Sequence, residues 1–98
     1  MTISNDRIQK RLSSSSDFDN WELKDDKIVK IFQFPSFMHS INFVNKIAEI
    51  SESHNHHPII TINWKTVKIS LKSFDVNALT ERDLNLAVDI ENIYKSTL

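Results

Sequence analysis

The chain contains no cysteine and no glycine among its 98 residues, and both absences limit what it can be. Without cysteine there are no disulfides, no thiolate zinc sites and no thiol nucleophile. Without glycine, turns that need a positive φ must use asparagine or aspartate, which tolerate that conformation better than other residues. The chain also lacks an apolar run of signal-peptide or membrane-span length, so we expect a cytoplasmic protein with no membrane partner.

The length and charge of the chain set its expected class. We predict one domain over residues 1–98, because domains most often contain about 100–150 residues. The formal net charge is −1 and the basic residues are scattered, which predicts no direct nucleic-acid partner. A domain of this size buries only a thin core, so we expect a homodimer or a homotetramer.

The apolar pattern predicts two hairpins separated by a helix, with a further helix at each end. Ile8 and Leu12 have the spacing of a short first helix, and "IVKIFQF" and the alternating residues after position 66 are typical of strands. The third strand is expected to have one face formed by Ile60, Ile62 and Trp64. The second helix, over residues 37 to about 52, is expected to bury a stripe that contains Phe37, Ile41, Val44, Ile47 and Ala48.

The last helix has a clear start signal. "TERD" at residues 80–83 fits the capping box, in which a threonine and an acidic residue three positions later bond each other's backbone N–H groups. A helix is therefore predicted from residue 81 to about 96, with its inner face formed by Leu84, Ala87, Ile90 and Tyr94. The element order predicts an α+β fold: a four-stranded antiparallel sheet with three helices packed on one face.

Three of the four histidines, His54, His56 and His57, lie within four consecutive positions. A zinc site is weakly supported, because zinc takes three or four ligands and His57 would point away from the other two along an extended chain. The imidazoles could instead cap the C-terminus of the preceding helix, where the macrodipole favours cations. They could also shuttle protons, since histidine alone changes charge near neutral pH without help from its surroundings. The residues by themselves leave these last two alternatives open.

The histidines also belong to a longer pattern, "ExxxHHP" and a strand that ends in an aromatic residue, then "VKISLKS" and "LTERDLNLA". With Trp21 and "IVKIFQFPSF" upstream, this pattern resembles the pterin-4a-carbinolamine dehydratase family over roughly residues 8–95. The family is also known as the dimerisation cofactor of a homeodomain transcription factor. The matching positions are Glu52, His56, His57, Pro58, Trp64, Val67, Ile69, Leu71, Leu79, Thr80, Asp83, Leu86 and Ala87. The resemblance implies the same α+β fold, assembly as dimers or dimers of dimers, and no metal or organic cofactor.

The resemblance also implies an activity on a small-molecule pterin. Enzymes of the family are hydro-lyases that dehydrate 4a-hydroxytetrahydropterin, the 4a-carbinolamine, to quinonoid dihydropterin, and so recycle the cofactor of aromatic amino-acid hydroxylases. The implied catalytic residues are His56, His57 and Asp83, and the implied substrate-binding residues are Glu52, Ser73 and Phe74. We expect the histidine pair to be largely exposed in a cleft. Asp83 could in addition be the capping-box partner of Thr80.

Three further positions carry separate predictions. His54 lies outside the pattern and is expected on the solvated surface, whereas Trp64 is expected to pack in the core rather than beside the pterin. Phe74 stands where the family has a third histidine, sometimes a tryptophan, and could either wall the pterin pocket or fill the core. Because one of the usual three imidazoles is missing, the alternative function is a non-catalytic partner-binding or assembly factor on the same scaffold.

Overall fold

Seven helices and strands follow one another in the predicted order. The computed structural model of the chain describes residues 1–97, so Leu98, the last residue of the predicted domain, lies outside the described part. The elements are α1 (Asn5–Ser13), β1 (Glu22–Lys24), β2 (Lys27–Gln33), α2 (Phe37–His54), β3 (Ile59–Asn63), β4 (Thr66–Leu71) and α3 (Glu81–Thr97). A short 3₁₀ turn at Ser16–Phe18 lies within the serine-rich connector between α1 and β1. The predicted α+β fold is confirmed.

The four strands form one antiparallel sheet in the order β1-β2-β4-β3. The β1–β2 and β3–β4 pairs are hairpins, and the central pair joins β2 to β4 over six residue partners, from Ile28 opposite Leu71 to Gln33 opposite Thr66. Helix α2 connects the two hairpins. Among residues 1–97, no helix combines the length and the apolar character needed to cross a membrane.

The core lies between one face of the sheet and the inner faces of the helices. Its fully buried side chains include Ile28, Phe32, Val67, Ile69 and Leu71 from the strands and Ile8, Phe43, Ile47, Leu84 and Ile90 from the helices. Burial of each such side chain contributes roughly 1.5–3 kcal/mol. The core therefore fixes the end of α2 and the start of α3, between which the histidine and its carboxylate meet, relative to the sheet.

The predicted inner stripe of α2 is largely wrong. The helix buries Ser40, Phe43, Ile47 and Ser51, whereas Phe37, Ile41, Val44 and Ala48 are exposed or half-buried. Two rows of side chains along this helix are apolar, and spacing alone predicts either of them as the buried face. Phe43 decides between them, because its ring packs against Phe32 and Phe34 of the sheet at centroid distances of 5.0 and 4.9 Å. The buried serines bond carbonyls of their own helix and leave no unpaired hydroxyl.

The predicted core position of Trp64 is also wrong. Its side chain is 66% exposed, because β3 ends at Asn63 and Trp64 begins the two-residue turn that leads into β4. The ring packs under the ammonium of Lys65, whose Nζ lies 4.4 Å from the ring centroid. Ile62, on the same face of β3, is 41% exposed as well, because β3 is an edge strand.

A glycine-free chain must place other residues at positive φ, and the structure confirms which ones. The asparagines and aspartates concerned are Asn20, Asp25, Asp26, Asn55 and Asn77, with φ of 67, 51, 63, 50 and 50°. Asp25 and Asp26 are the two central residues of the β1–β2 hairpin, where a positive φ at both positions suits the right-handed twist of the strands. Trp64, at φ 52°, is the exception to the residue types expected.

Candidate active site

The end of α2 directs the histidines to the site. Asn55 adopts the left-handed conformation and its N–H bonds the carbonyl of Glu52, while the N–H of His56 bonds the carbonyl of Ser51. These paired bonds form a Schellman motif, which ends the helix with backbone groups alone. The hypothesis that the histidines merely cap the helix is therefore wrong for His56, whose imidazole bonds a carboxylate of another element.

The start of α3 supplies that carboxylate, Asp83. Its Oδ2 accepts the backbone N–H of Thr80 at 3.0 Å, and the hydroxyl of Thr80 accepts the N–H of Arg82 at 3.2 Å. Asp83 thus makes its half of the predicted capping box, whereas the Thr80 hydroxyl bonds the N–H of Arg82 in place of that of Asp83. Asp83 is fully buried, yet capping uses only one of its two oxygens.

A buried polar chain extends from this cap to His56. Asp83 Oδ1 lies 2.7 Å from His56 Nε2, and Asp83 Oδ2 also accepts the hydroxyl of Ser73 at 2.8 Å. The Ser73 hydroxyl lies 2.8 Å from that of Thr80. His56 is only 7% exposed, contrary to the expectation of a largely exposed pair. Ser73 is fully buried behind Asp83, so the structure places it next to a catalytic candidate rather than on a pocket wall.

The other two histidines of the cluster contact different carboxylates. His57 is exposed and its Nε2 contacts Oε2 of Glu52, which lies on the last turns of α2 and outside the pocket wall. His54 Nε2 lies 2.6 Å from Asp89 Oδ2 on α3, so His54 is half-buried and paired rather than solvated as expected. In the described part of the chain, no three histidine, aspartate or glutamate side chains come together as metal ligands.

An open pocket of about 350 Å³ adjoins the histidine pair, within the usual range for small-molecule sites. It is lined by Asn55, His56, His57, Lys72, Phe74, Asp75 and Arg82. Phe74 is 54% exposed on the pocket wall, so the alternative that it fills the core is wrong. Lys72 and Phe74 both line the pocket while Ser73 between them is buried, as expected for alternating side chains that continue beyond β4.

The pocket contains charged residues that the sequence patterns did not single out. Arg82 Nη2 bonds Asp75 Oδ1 at 2.8 Å, and chiefly this hydrogen bond holds the pKa of Asp75 below its usual value and the pKa of Arg82 above its own. Lys72 forms no ion pair within residues 1–97. One sequence signal could have found Lys72: it stands two positions before Phe74, so in an extended chain the two side chains lie on the same side.

The sequence is similar to a family of known proteins over nearly its whole length. The profile of the family described as "Pterin 4 alpha carbinolamine dehydratase" matches residues 1–93. The chain belongs to this family. The resemblance read from the "ExxxHHP" pattern is thereby confirmed, and the buried His56–Asp83 pair and its pocket lie in the matched region.

Curated relatives match most of the chain. A Roseiflexus sp. (strain RS-1) protein, provisionally named a pterin-4-alpha-carbinolamine dehydratase, is 38% identical over 91 residues, which span 93% of this chain and 95% of its own length. An Acidobacterium capsulatum protein with the same provisional name is 40% identical over 84 residues, 86% of this chain and 88% of its own.

Two solved structures share the fold. A transcriptional coactivator/pterin dehydratase from Brucella melitensis has a TM-score of 0.87 at 23% identity and covers 96% of this chain and 99% of its own. A pterin dehydratase-like protein described as a RuBisCO assembly factor in the alpha-carboxysome has a TM-score of 0.68 at 21% identity, over 80% and 93% of the two chains. At these identities, the likeness shows the fold alone.

Proposed function

We propose that the chain dehydrates 4a-hydroxytetrahydropterin to quinonoid dihydropterin by acid–base catalysis at His56 and His57. In this elimination the C4a–O bond breaks, N5 loses its proton, and the electron pair left on nitrogen forms the C4a=N5 bond. The departing hydroxide takes up a proton and leaves as water. The site therefore needs one group that accepts the N5 proton and one that gives a proton to the oxygen.

The His56–Asp83 bond is the observation that carries this proposal. An ionised carboxylate only accepts hydrogen bonds, so the hydrogen-bond network assigns the imidazole proton to Nε2. The other ring nitrogen, Nδ1, forms no hydrogen bond within residues 1–97, and because His56 lines the pocket we assign the contact with the substrate to Nδ1. In the neutral ring, Nδ1 carries the lone pair. His56 is thereby prepared to accept a proton at the atom that faces the substrate.

His57 is suited to the complementary role. It lines the same pocket, and the contact of its Nε2 with Glu52 orients the ring, so we assign to His57 the role of giving a proton to the departing oxygen. Phe74 offers an apolar face on which a flat pterin can stack, but it cannot donate a proton. A hydroxyl on one face of C4a would then find a donor more readily than one on the other, so turnover should be reduced and selective for one epimer.

The direct test is stopped-flow measurement of 4a-hydroxytetrahydropterin dehydration by the purified chain. His56→Gln should lower kcat/KM by about 10²–10⁴-fold, because the glutamine amide can still donate to Asp83 but cannot take a proton. His54→Gln is the matched control, since His54 pairs with Asp89 outside the pocket wall. Turnover of the unmodified chain no faster than in buffer would overturn the proposal.

A non-catalytic assembly or partner-binding role is the second candidate. It is favoured by Phe74 at the position of the third family histidine and by the shared fold of the RuBisCO assembly factor. This role needs neither a buried His56–Asp83 pair nor a tautomer set by it, whereas catalysis needs both. The two candidates separate in the same assay, because an assembly factor should show no turnover even after Phe74→His.

We also propose that the chain acts in the cytoplasm as a homodimer or homotetramer. Phe37, which is exposed, and Ile41, which is half-buried, lie on α2 outside the core, and a further copy of the chain could cover them. Light scattering at micromolar concentration should give a mass of two or four chains. A monomer mass would contradict the proposed assembly.

A further inference from the structure

Cationic side chains outnumber anionic ones on the wall of the pocket. Lys72 and Arg82 are the cations and Asp75 is the single carboxylate among the lining residues. Asp75 is already bonded to Arg82, and the carboxylates nearest the histidines, Glu52 and Asp83, pair with those histidines instead. The half-buried ammonium of Lys72 thus has no counter-ion in the described part of the pocket.

The hydrogen bond with Asp75 orients the guanidinium of Arg82. Asp75 engages Nη2 and leaves the remaining N–H groups of a planar guanidinium, which has five in all, to bond a ligand. Lysine and arginine can only donate, and they match a phosphate or carboxylate better than the 2-amino edge of a pterin, which itself donates. The acceptors of the ring, such as its 4-oxo oxygen, are neutral, so the ring alone gives these two cations no anionic partner.

The chemistry of the ring indicates where an anion would lie. The reacting atoms are C4a and N5, and C6, which carries the variable side chain of pterins, is bonded to N5. A pterin whose N5 reaches His56 can therefore extend its C6 side chain along the same pocket, where Lys72 and Phe74 are neighbours on one wall. A short substituent at C6 is long enough to reach charges within a pocket of about 350 Å³.

We infer that the substrate is a pterin whose C6 side chain ends in an anionic group, and that Lys72 and Arg82 bind this group. The inference rests on the proposed dehydratase function and adds the class of its substrate. Lys72 and Arg82 act as specificity-determining residues, whereas His56 and His57 act on the ring.

The experiment compares two 4a-hydroxytetrahydropterins that differ only at C6, one with a hydroxyalkyl group and the other with its phosphate ester. The ratio of their kcat/KM values should favour the ester by about tenfold or more, the usual gain from a charge-assisted hydrogen bond. Lys72→Met and Arg82→Gln should each move this ratio towards one. Lys68→Met is the matched control and should leave the ratio unchanged, because Lys68 is exposed on β4 away from the pocket.

The outcomes separate the two proposals. Measurable turnover with equal kcat/KM for the two substrates, or an equal loss for both in Lys72→Met, overturns the anionic substrate and leaves the dehydratase proposal intact. Turnover of neither substrate above buffer overturns the dehydratase. In that case the inference is tested by binding of the two fully oxidised pterins, followed by their fluorescence. Tighter binding of the phosphate ester that depends on Lys72 supports it. Equal affinity for the ester and the hydroxyalkyl pterin overturns it.

Discussion

Asp83→Asn replaces one carboxylate oxygen by an NH₂ group. It tests whether Asp83 sets the tautomer of His56. The backbone N–H of Thr80 can only donate, so the carbonyl oxygen of the new amide must take the place of Oδ2, which also accepts from Ser73. The NH₂ group then faces His56 Nε2 in the place of Oδ1. Because this group donates, Nε2 must become the acceptor and the ring proton moves to Nδ1. The pocket-facing atom can then no longer take a proton.

The variant should affect activity much more than stability. Loss of the base should lower kcat/KM by about 10²–10⁴-fold, equivalent to about 3–5 kcal/mol of transition-state stabilisation. The bonds that Asp83 accepts from the Thr80 N–H and the Ser73 hydroxyl can both remain, but they lose their charge assistance, so we expect the free energy of unfolding to fall by about 1 kcal/mol. A typical domain is stable by about 5–15 kcal/mol, and the variant should therefore stay folded.

Three measurements check this prediction. Stopped-flow dehydration gives kcat/KM, urea unfolding gives stability, and ¹⁵N chemical shifts of the imidazole give the tautomer of His56. Asp89→Asn is the matched control, because it makes the same change in the His54–Asp89 pair between α2 and α3, away from the pocket wall. It should leave turnover and the His56 shifts unaltered.

The decisive result is the combination of tautomer and rate. If the ¹⁵N shifts show Nδ1 protonated in Asp83→Asn and turnover stays within about threefold of the unmodified chain, Nδ1 is not the base. If the ring proton of His56 stays on Nε2 in the variant, Asp83 does not set the tautomer. Either result would refute the assignment of Asp83 as the group that prepares His56.

Three other perturbations follow from the structure. Phe74→His should raise turnover by up to about 10²-fold, mainly for the slower C4a epimer, and equal rates for both epimers before and after the change would rule this out. Lys30→Met should lower the free energy of unfolding by about 3–5 kcal/mol in urea titrations, because the buried Lys30–Glu91 pair then leaves a carboxylate unpaired, and adding Glu91→Leu should recover most of the loss. Arg11, chiefly through its hydrogen bonds, holds the pKa of Glu81 below its usual 4.5, so the pair stabilises above that pH and the effect is lost as the pH falls through the lowered pKa. Arg11→Gln should therefore cost no more than about 1 kcal/mol at pH 7, since both side chains are about half exposed, and nothing in acid; an equal loss at both pH values would contradict this.

Most of the fold could be predicted because local signals and tertiary packing agree. The alternation of Val67, Ile69 and Leu71 identified a strand whose one face is buried, and "TERD" located the start of α3 to the residue. The inner face of α2 could not be predicted, because it depends on the aromatic side chains that the sheet presents to Phe43. Nor could the buried Lys30–Glu91 pair, whose partners lie 61 positions apart on β2 and α3.

The residues of the candidate site could be predicted only in part, because no pattern pointed to Lys72, Asp75 or Arg82 on the pocket wall. The pattern around "HHP" led to His56, His57 and Asp83, yet it did not distinguish the buried imidazole from the exposed one. That difference arises from the Schellman motif at Asn55, which sends the first of the two adjacent side chains towards α3. The buried position of Ser73 follows in turn from the pairing of Ser73 with Ala78, which no local pattern indicates.

Folding and the proposed chemistry depend on the same few groups. The backbone N–H of His56 helps to end α2, and the carboxylate of Asp83 helps to begin α3, while the side chains of these residues bond each other. Each helix end is therefore held by a residue of the proposed catalytic pair, so the helices cannot shift without moving the imidazole away from its carboxylate. A polar pair that is buried at this cost in desolvation is stable only while both caps are intact. Weakening either cap should consequently reduce turnover before it unfolds the chain.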